Sequence, residues 1–453
     1  MGKILTVLFL GVLMAALDIA ILGPAIPAIR GQFSLSEREV SWVFTAWVLA
    51  NLVGVPIMSK LADRFGRKRM YLVVVSLFAA GATVVAAAPS FDVLLLGRSM
   101  QGFAVSGIFP VAGAFVGDTF PPERRGRAFG VLGSVFGVAF LIGPIFAGMM
   151  LMVGWRYLYL SFLPLAALIL VLGVLLLPRS KPAAARPFDV IGLLCLGGFL
   201  LPLAYGISLL NTSDFAASLA SPRVVLSFLA VAVFLPLFIR AERSAADPIL
   251  RLDLFRNRQV RLACLLATGA GINEAAFIFF PTLAVLAYGV STSEAAFMLI
   301  PLMLSVAIGS PIIGRILDVT GSRTVVVACN ILLVAGMAGV AWAPGIRVVF
   351  YASSVAIGLG LAGLMGSALS YILIHEAARA ERTVSQGLIT LFISLGQLMT
   401  GAAVGAVAAS SPDILTGYAS AFLGIALVSV VMIAAAARLK GRTSEQSVVK
   451  AAG

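Results

Sequence analysis

Charged side chains are scarce in this chain: Asp, Glu, Lys and Arg make up 11% of its 453 residues, against about 25% in an ordinary soluble domain. The stretches between its apolar runs are too short to fold as domains, which excludes a water-exposed catalytic module with its own nucleophile and base. There is no P-loop, so an ATP-driven pump is excluded, and no haem, iron-sulfur or zinc spacing, so no cofactor and no metal is expected. Cysteine is limited to Cys195, Cys264 and Cys329, all inside apolar runs and too isolated for a disulfide framework; they read as packing residues. Acids are outnumbered, 19 against 32 cations, for a net charge of +13. That excess does not point to nucleic acid, because the cations are spread over short loops at alternating ends of the apolar runs, as membrane topology requires.

What the chain does have is hydrocarbon. Hydrophobic residues make up 61% of it and the mean hydropathy is +1.08, in repeated runs longer than the roughly 18 residues that mark a membrane-spanning helix. Spans are expected near 4–25, 40–59, 70–89, 92–117, 128–150, 156–177, 190–210, 223–239, 261–287, 294–313, 324–343, 347–374, 384–409 and 415–437. That makes fourteen helices and an all-α polytopic membrane protein. Asp18 inside the first run argues for a retained helix and against a cleaved signal. Of the 32 cations, the odd-numbered turns hold only Arg30, Arg38, Arg156, Arg223 and Arg347, and Arg98 lies within a span. This bias predicts that both termini are cytoplasmic, in a multi-pass protein of a bacterial inner membrane.

The chain repeats itself. SKLADRFGRKRM at 59–70 sets Lys60, Asp63, Arg64, Gly66, Arg67, Lys68 and Arg69 between two apolar runs, and GRILDVTGSR at 314–323 echoes it, with Asp318 standing 255 residues after Asp63. Asp18 answers to Glu274, Pro24 to Pro281, and Glu123 and Arg124 to Glu381 and Arg382, at offsets of 256 to 258. Such an echo marks a transporter of two repeated halves. An offset this long spans eight of the fourteen helices, so two helices lie between the halves, flanked by polar linkers at 178–189 and 240–261. The expected organisation is a six-helix bundle at 1–178, two additional helices at 179–259, a second six-helix bundle at 260–438 and a cytoplasmic tail at 439–453.

Several motifs carry a resemblance. SKLADRFGRK resembles the signature between the second and third helices of the major facilitator superfamily, with Ser59 where that family usually has Gly. RSMQG at 98–102 is similar to its helix-4 arginine motif, GVLGSVFGVAFLIGPIFAG at 130–148 to its helix-5 antiporter motif, and LDIAILGPAIP to the helix-1 motif of drug:proton antiporters. The linker ERSAADPILRLDLFRNR resembles that of the 14-helix branch. The resemblance covers nearly the whole chain. It implies two pseudosymmetric six-helix bundles around a central cavity that opens alternately to each side, and proton-coupled export.

The residues also support physical readings without the name. Gly66 permits a sharp reversal, and Asp63 can pair with Arg67, or with Arg124, Arg125 and Arg127 of the 118–127 turn, in one conformation only, forming a latch. Topogenic charge is the competing account of the cluster. Asp318, Gly321 and Arg323 would make a weaker latch. Gly130, Gly133, Gly137, Gly143 and Gly148 offer a stripe for close helix approach and Pro144 bends the helix, although generic packing would also use such a stripe. Of the nineteen acids only Asp18 and Glu274 sit deep in spans, where a charge costs about 2.5–3.5 kcal/mol. Asp18 and Arg98 fall at similar depth, and the resemblance implies that the first and fourth helices are neighbours lining the cavity, so the two can pair, whether as a proton site or as a static ion pair. The position matching Arg98 in the second half is Ser354, so Glu274 lacks a deep cation and is a candidate to bind and release a proton. Asn51, Gln101, Asn273, Gln386 and Gln397 either line a cavity or hydrogen-bond between helices. Phe277, Phe279, Phe280 and Trp47 are candidates to stack a flat ligand, Trp42 reads as an interface anchor, and His375 and Glu376 read as solvated.

The function expected is a proton-coupled exporter of amphiphilic cationic drugs or toxic compounds. Export of a lipid or endogenous metabolite stays open, with a membrane sensor or scaffold as the remote alternative. Expected partners are the small-molecule substrate, protons and membrane lipids, with the protein a monomer.

Overall fold

The computed structural model describes residues 2–120, 122–178, 189–245, 248–364, 368, 369, 372 and 382–441, without the side chains at 117, 118, 122–130, 133, 134, 136, 318 and 382–387. Among the described residues every regular element is helical. The helices are α1 (Gly2–Phe33), α2 (Glu37–Phe65), α3 (Arg67–Ala87), α4 (Phe91–Thr119), α5 (Pro122–Leu151), α6 (Trp155–Leu160), α7 (Phe162–Leu176), α8 (Val190–Ser208), α9 (Phe215–Ala220) and α10 (Pro222–Ser244). There follow α11 (Arg258–Phe277), α12 (Phe280–Tyr288), α13 (Thr292–Phe297), α14 (Ile300–Thr320), α15 (Ser322–Trp342), α16 (Arg347–Gly363), α17 (Arg382–Ser410) and α18 (Ile414–Ala436). Among the described residues twelve segments are long and apolar enough to cross a membrane. Two shorter apolar helices, Gly137–Leu151 within α5 and Arg347–Gly363, stand where the sequence places its fifth and twelfth spans.

Proline explains why three expected spans are interrupted. A proline within a helix removes one hydrogen bond and presses on the carbonyl four residues earlier. α6 stops at Leu160, four residues before Pro164; α11 stops at Phe277, four before Pro281; and α13 stops at Phe297, four before Pro301. The spans expected as continuous at 156–177, 261–287 and 294–313 are therefore each two helices. α1, by contrast, runs unbroken through Pro24 and Pro27. The two halves thus differ here, since Pro24 and Pro281 are counterparts in sequence.

The helices form two compact units. One gathers Met1–Pro202, Ala230–Ile249 and Thr292–Phe297; the other gathers Leu203–Leu229, Leu250–Ser291 and Met298–Gly453. Both pack by the same scheme. In the first unit α1 lies on α5, α2 and α3 both lie on α4, and α7 lies on α1 and α3. In the second α11 lies on α17, α14 and α15 both lie on α16, and α18 lies on α11 and α15. The turns repeat as well: Gly66, at φ +86°, joins α2 to α3, and Gly321, at φ +85°, joins α14 to α15. That left-handed backbone costs a side-chain-bearing residue about 1–2 kcal/mol, which accounts for glycine at both places. At the opposite end of α2 a capping box sets the start: Glu39 N–H donates to Ser36 Oγ at 3.3 Å, and Ser36 N–H to Glu39 Oε2 at 2.8 Å.

Close backbone approach holds α11 to α17. A Cβ on Gly271 would overlap the Ile393 carbonyl, and one on Gly396 would overlap the Thr268 carbonyl, whereas one on Gly137 would meet nothing within 4 Å. Gly271→Ala should therefore force the helices apart and lower stability by about 1–3 kcal/mol. Gly137→Ala should be neutral, or stabilising by up to ~1 kcal/mol through helix propensity. Thermal unfolding of the two variants in detergent checks this, and equal midpoints would refute the close approach.

Candidate functional site

The densest buried polar cluster described lies in the first unit. α1 contributes Asp18, α4 contributes Arg98 and Gln101 one helical turn apart, and α2 runs alongside. Arg98 Nη1 donates to Asp18 Oδ1 at 2.8 Å, and both side chains are 0% exposed. The same Nη1 donates to Gln101 Oε1 at 2.9 Å, while Gln101 Nε2 donates to Asp18 Oδ1 at 3.2 Å, closing a three-membered ring of contacts. Arg98 Nε donates to the Val43 carbonyl at 3.4 Å. Two aromatic rings wall the guanidinium, Tyr159 of α6 with its centroid 5.7 Å from Cζ and Trp47 of α2 at 6.0 Å. Asp18 Oδ2, Arg98 Nη2 and Tyr159 Oη are buried without a hydrogen-bond partner, and the Trp47 indole lies within hydrogen-bonding reach of the Asp18 carboxyl. The pair is therefore fully buried and tightly placed, with polar capacity to spare.

The second unit builds a plainer site. Glu274 of α11 is 6% exposed and accepts a side-chain hydrogen bond from Gln397 of α17. Ser354 of α16, at the position matching Arg98, is fully buried with its hydroxyl unpartnered. Beside Glu274, Asn273 donates to the Gly269 carbonyl and to Ser429 Oγ, both at 2.9 Å, which ties α11 to α18. Asn51 donates to the Gly102 carbonyl at 3.3 Å, tying α2 to α4. For Asn51 and Asn273, interhelical hydrogen bonding is the role the geometry gives. Gln386, His375 and Glu376 lie outside the described side chains.

The aromatic expectations change most. Phe279 and Phe280 are 0% exposed. Phe279 packs on Tyr418, and Phe280 on Phe350 and Phe422, at centroid distances of 5.1–6.2 Å. Phe277 is buried and Trp47 walls Arg98, so these rings are core and not stacking surfaces. Tyr159 escaped the sequence reading, because an aromatic inside an apolar run carries no signal of its own. Its recurrence as Tyr418, 259 residues on, was the available clue. A shallow recess lined by Val12, Ala15, Ile19, Val105, Ile108 and Phe109 opens between α1 and α4.

In the antiporter-like helix, Gly143 faces Ala20 of α1 so closely that a Cβ would collide with it, and Pro144 is buried. The Gly148 carbonyl accepts from Ser293 Oγ of α13 at 2.7 Å, and a Cβ there would come within 2.6 Å of the Phe297 ring. The side chains of Gly130's neighbours Arg124, Arg125 and Arg127 are outside the described residues. In the 59–70 turn the cations engage backbone carbonyls: Arg67 Nη1 donates to the Ala114 carbonyl of α4, and Lys68 Nζ to the Val174 and Leu177 carbonyls closing α7, both at 2.7 Å. The Val174 and Leu177 carbonyls sit where the C-terminus of α7 presents partial negative charge, whereas Ala114 lies one turn inside α4. Among the described residues Asp63 forms no ion pair, and Arg64 and Arg323 are exposed. The expected Asp63–Arg67 pair is thus replaced by Arg67 on a backbone carbonyl.

The sequence profile of the Major Facilitator Superfamily matches residues 8–398 and 262–453. The chain is 32% identical over 393 residues to the uncharacterized MFS-type transporter YfiU of Bacillus subtilis, covering 85% of this chain and 76% of that protein. It is 27% identical over 384 residues to the multidrug resistance protein B homolog of Mycobacterium tuberculosis, covering 82% and 70%. Among solved structures, a D-xylose-proton symporter superposes with a TM-score of 0.68 at 15% identity over 94% of this chain and 97% of the other. At that identity the likeness concerns the fold alone.

The geometry makes the Asp18–Arg98 pair testable as a unit. Asp18→Asn leaves a buried guanidinium without its counter-charge and should cost about 3–5 kcal/mol. Asp18→Asn combined with Arg98→Gln removes both charges and should recover most of that loss. Unfolding midpoints of the single and double variants decide it; strict additivity would show that the two side chains do not act together.

Proposed function

This chain belongs to the Major Facilitator Superfamily, and we propose that it is a proton-coupled antiporter exporting amphiphilic, cationic compounds by alternating access. It is a transporter and not an enzyme. The observation that carries the proposal is the fully buried Asp18–Arg98–Gln101 cluster. A carboxylate at a depth where charge is costly, beside a cation that cannot be neutralised, changes the charge of its surroundings by one unit whenever it gains or loses a proton. Glu274, deep in the second unit and without a described cation beside it, is proposed as a second proton site. The name of the mycobacterial relative supports the drug-like substrate class, and the apolar recess between α1 and α4 offers hydrocarbon for the greasy part of such a molecule.

The finer architecture belongs to the same proposal. The twelve long apolar helices, together with α5 and the helix opening at Arg347, make fourteen spans, in a bacterial inner membrane with both termini cytoplasmic. The bundles are taken as 1–178 and 260–438, with 179–259 as an insertion and the protein as a monomer. The basic turn at 59–70, with Asp63 at its centre, is proposed as the conformational latch, its partners being Arg124, Arg125 and Arg127, and the turn of Asp318, Gly321 and Arg323 as a weaker one. Asp63→Asn should leave a folded protein with transport lowered about tenfold, the effect of one charge-assisted contact held in a single state. Undiminished export at normal expression would reject the latch.

Charge counting gives the decisive experiment. Exchange of one monovalent cation for one proton moves no net charge, whereas exchange for two protons moves one and draws about 2.3 kcal/mol per 100 mV from the membrane potential. In proteoliposomes with pH gradient and potassium-diffusion potential set separately, wild-type export of a cationic dye should respond to both. Glu274→Gln should keep the pH response and lose the voltage response. A voltage response that survives the substitution would remove Glu274 as a proton site. Failure of every cation tried to move against a proton gradient would overturn the antiport reading.

A further inference from the structure

The inference drawn here rests on the reading that Asp18 gains and loses a proton, and concerns what happens to its partner in the neutral state. Arg98 stays charged throughout, since a guanidinium is not deprotonated in proteins. Its side chain is 0% exposed, so bulk solvent does not reach it once the carboxylate is neutral. The oxygens left to it are then all neutral: Gln101 Oε1, the Val43 carbonyl and the carbonyl oxygen of the protonated Asp18. Two ring faces remain as well, those of Tyr159 and Trp47 at 5.7 and 6.0 Å, within the range over which an aromatic quadrupole attracts a cation.

The polar edge of Tyr159, its Oη, is buried and engages in no hydrogen bond, whereas the Trp47 indole lies within hydrogen-bonding reach of the Asp18 carboxyl. A buried tyrosine ordinarily satisfies that edge. The placement of Tyr159 is accounted for by its ring beside the guanidinium and not by its hydroxyl. Other titratable groups on the surrounding helices are committed elsewhere or distant. Arg30 pairs with Glu37 at 2.8 Å, Tyr71 donates to the Val7 carbonyl, Arg156 donates to the Ala86 and Ala88 carbonyls, and Glu39 closes the cap with Ser36. Asp92, Tyr157 and Glu294 are exposed. Arg38 lies about 13 Å along α2 from Trp47, and the charges of α5 lie about 24 Å along that helix from Gly143.

We propose that Tyr159 and Trp47 are positioning residues that keep Arg98 seated while Asp18 carries a proton. Protonation then changes the cluster from neutral to a single fixed positive charge without moving the arginine. The proton-loaded site repels a cationic substrate, and deprotonation removes the repulsion. The ring of Tyr159, and not its hydroxyl, is the working part.

The test uses the full chain in proteoliposomes with ethidium as the transported cation. Two rates are compared, export driven by an imposed pH gradient, and ethidium exchange at equal alkaline pH, which needs no protonated intermediate. Tyr159→Phe keeps the ring and should leave both rates within about twofold of wild type. Tyr159→Leu removes the ring and should lower driven export about tenfold or more while exchange stays within about twofold, the size expected for a desolvated cation–ring contact. If Tyr159→Leu does not yield monodisperse protein, the pair Trp47→Phe and Trp47→Leu makes the same comparison. The proposal is overturned if the leucine variant exports like wild type, if the phenylalanine variant is as impaired as the leucine one, or if exchange falls in step with driven export, which marks loose packing. Wild-type vesicles that exchange ethidium but show no pH-driven export would instead remove proton coupling itself, an outcome visible before any variant is made.

Discussion

An arginine that keeps its charge in a buried, largely apolar interior is the constraint around which the first unit is arranged. Arg98 cannot escape its cost by losing a proton, as a buried lysine or carboxylate can. Every group within reach is accordingly one that tolerates a cation: a carboxylate, an amide oxygen, a backbone carbonyl and two ring faces. Those groups come from α1, α2, α4 and α6, so the cluster also fixes how four helices meet. Gly102 allows α4 to press against the Trp47 backbone, where a Cβ would collide, and so sets the spacing at which the ring of Trp47 meets the guanidinium two turns' packing away. The second unit faces no such demand, and its equivalent position is filled by Ser354.

The repeated scaffold and its unrepeated chemistry can be separated residue by residue. Packing order, the glycine-reversed turns and the tyrosine at the start of the sixth helix recur between the units. The cation does not recur, nor does the basic run: the first turn places Arg67 and Lys68 on backbone carbonyls, while Arg323 of the second turn is exposed. Packing order and turn geometry are thus common to both units, while the buried arginine belongs to one.

How much of this was legible in the sequence depended on how costly each residue is in hydrocarbon. Asp18, Arg98 and Glu274 stood out because charge in a span is rare, and similar depth, together with the helix adjacency that the resemblance implied, suggested which two would meet. Gly66 and Gly321 were legible from the repeat. Trp47, Phe279 and Phe280 were not, because hydropathy does not tell an aromatic facing protein from one facing lipid or ligand. The helix breaks were half legible. Pro281 reads as a breaker, yet Pro24, its counterpart, sits in an unbroken α1, since a membrane helix can absorb a proline when its neighbours satisfy the freed backbone. Only tertiary packing decides between the two outcomes. The reciprocal glycine contacts of Gly271 and Gly396 required knowing which helices touch.

The three interrupted spans give the molecule an uneven stiffness. A continuous α-helix such as α1 behaves as a beam, in which a torque applied at one end is carried by the hydrogen-bond ladder to the other. The segments 155–176, 258–288 and 292–317 each loosen the ladder locally ahead of a proline, just after Leu160, Phe277 and Phe297, where the linking residues stay in helical backbone and a bend is easiest. Glu274 lies one turn from the loosened point after Phe277, whereas Asp18 lies in the middle of a beam. The two membrane carboxylates therefore sit on mechanically different mounts: one shares the motion of its whole helix, and the other can be displaced by a bend that leaves the far half of its span where it was.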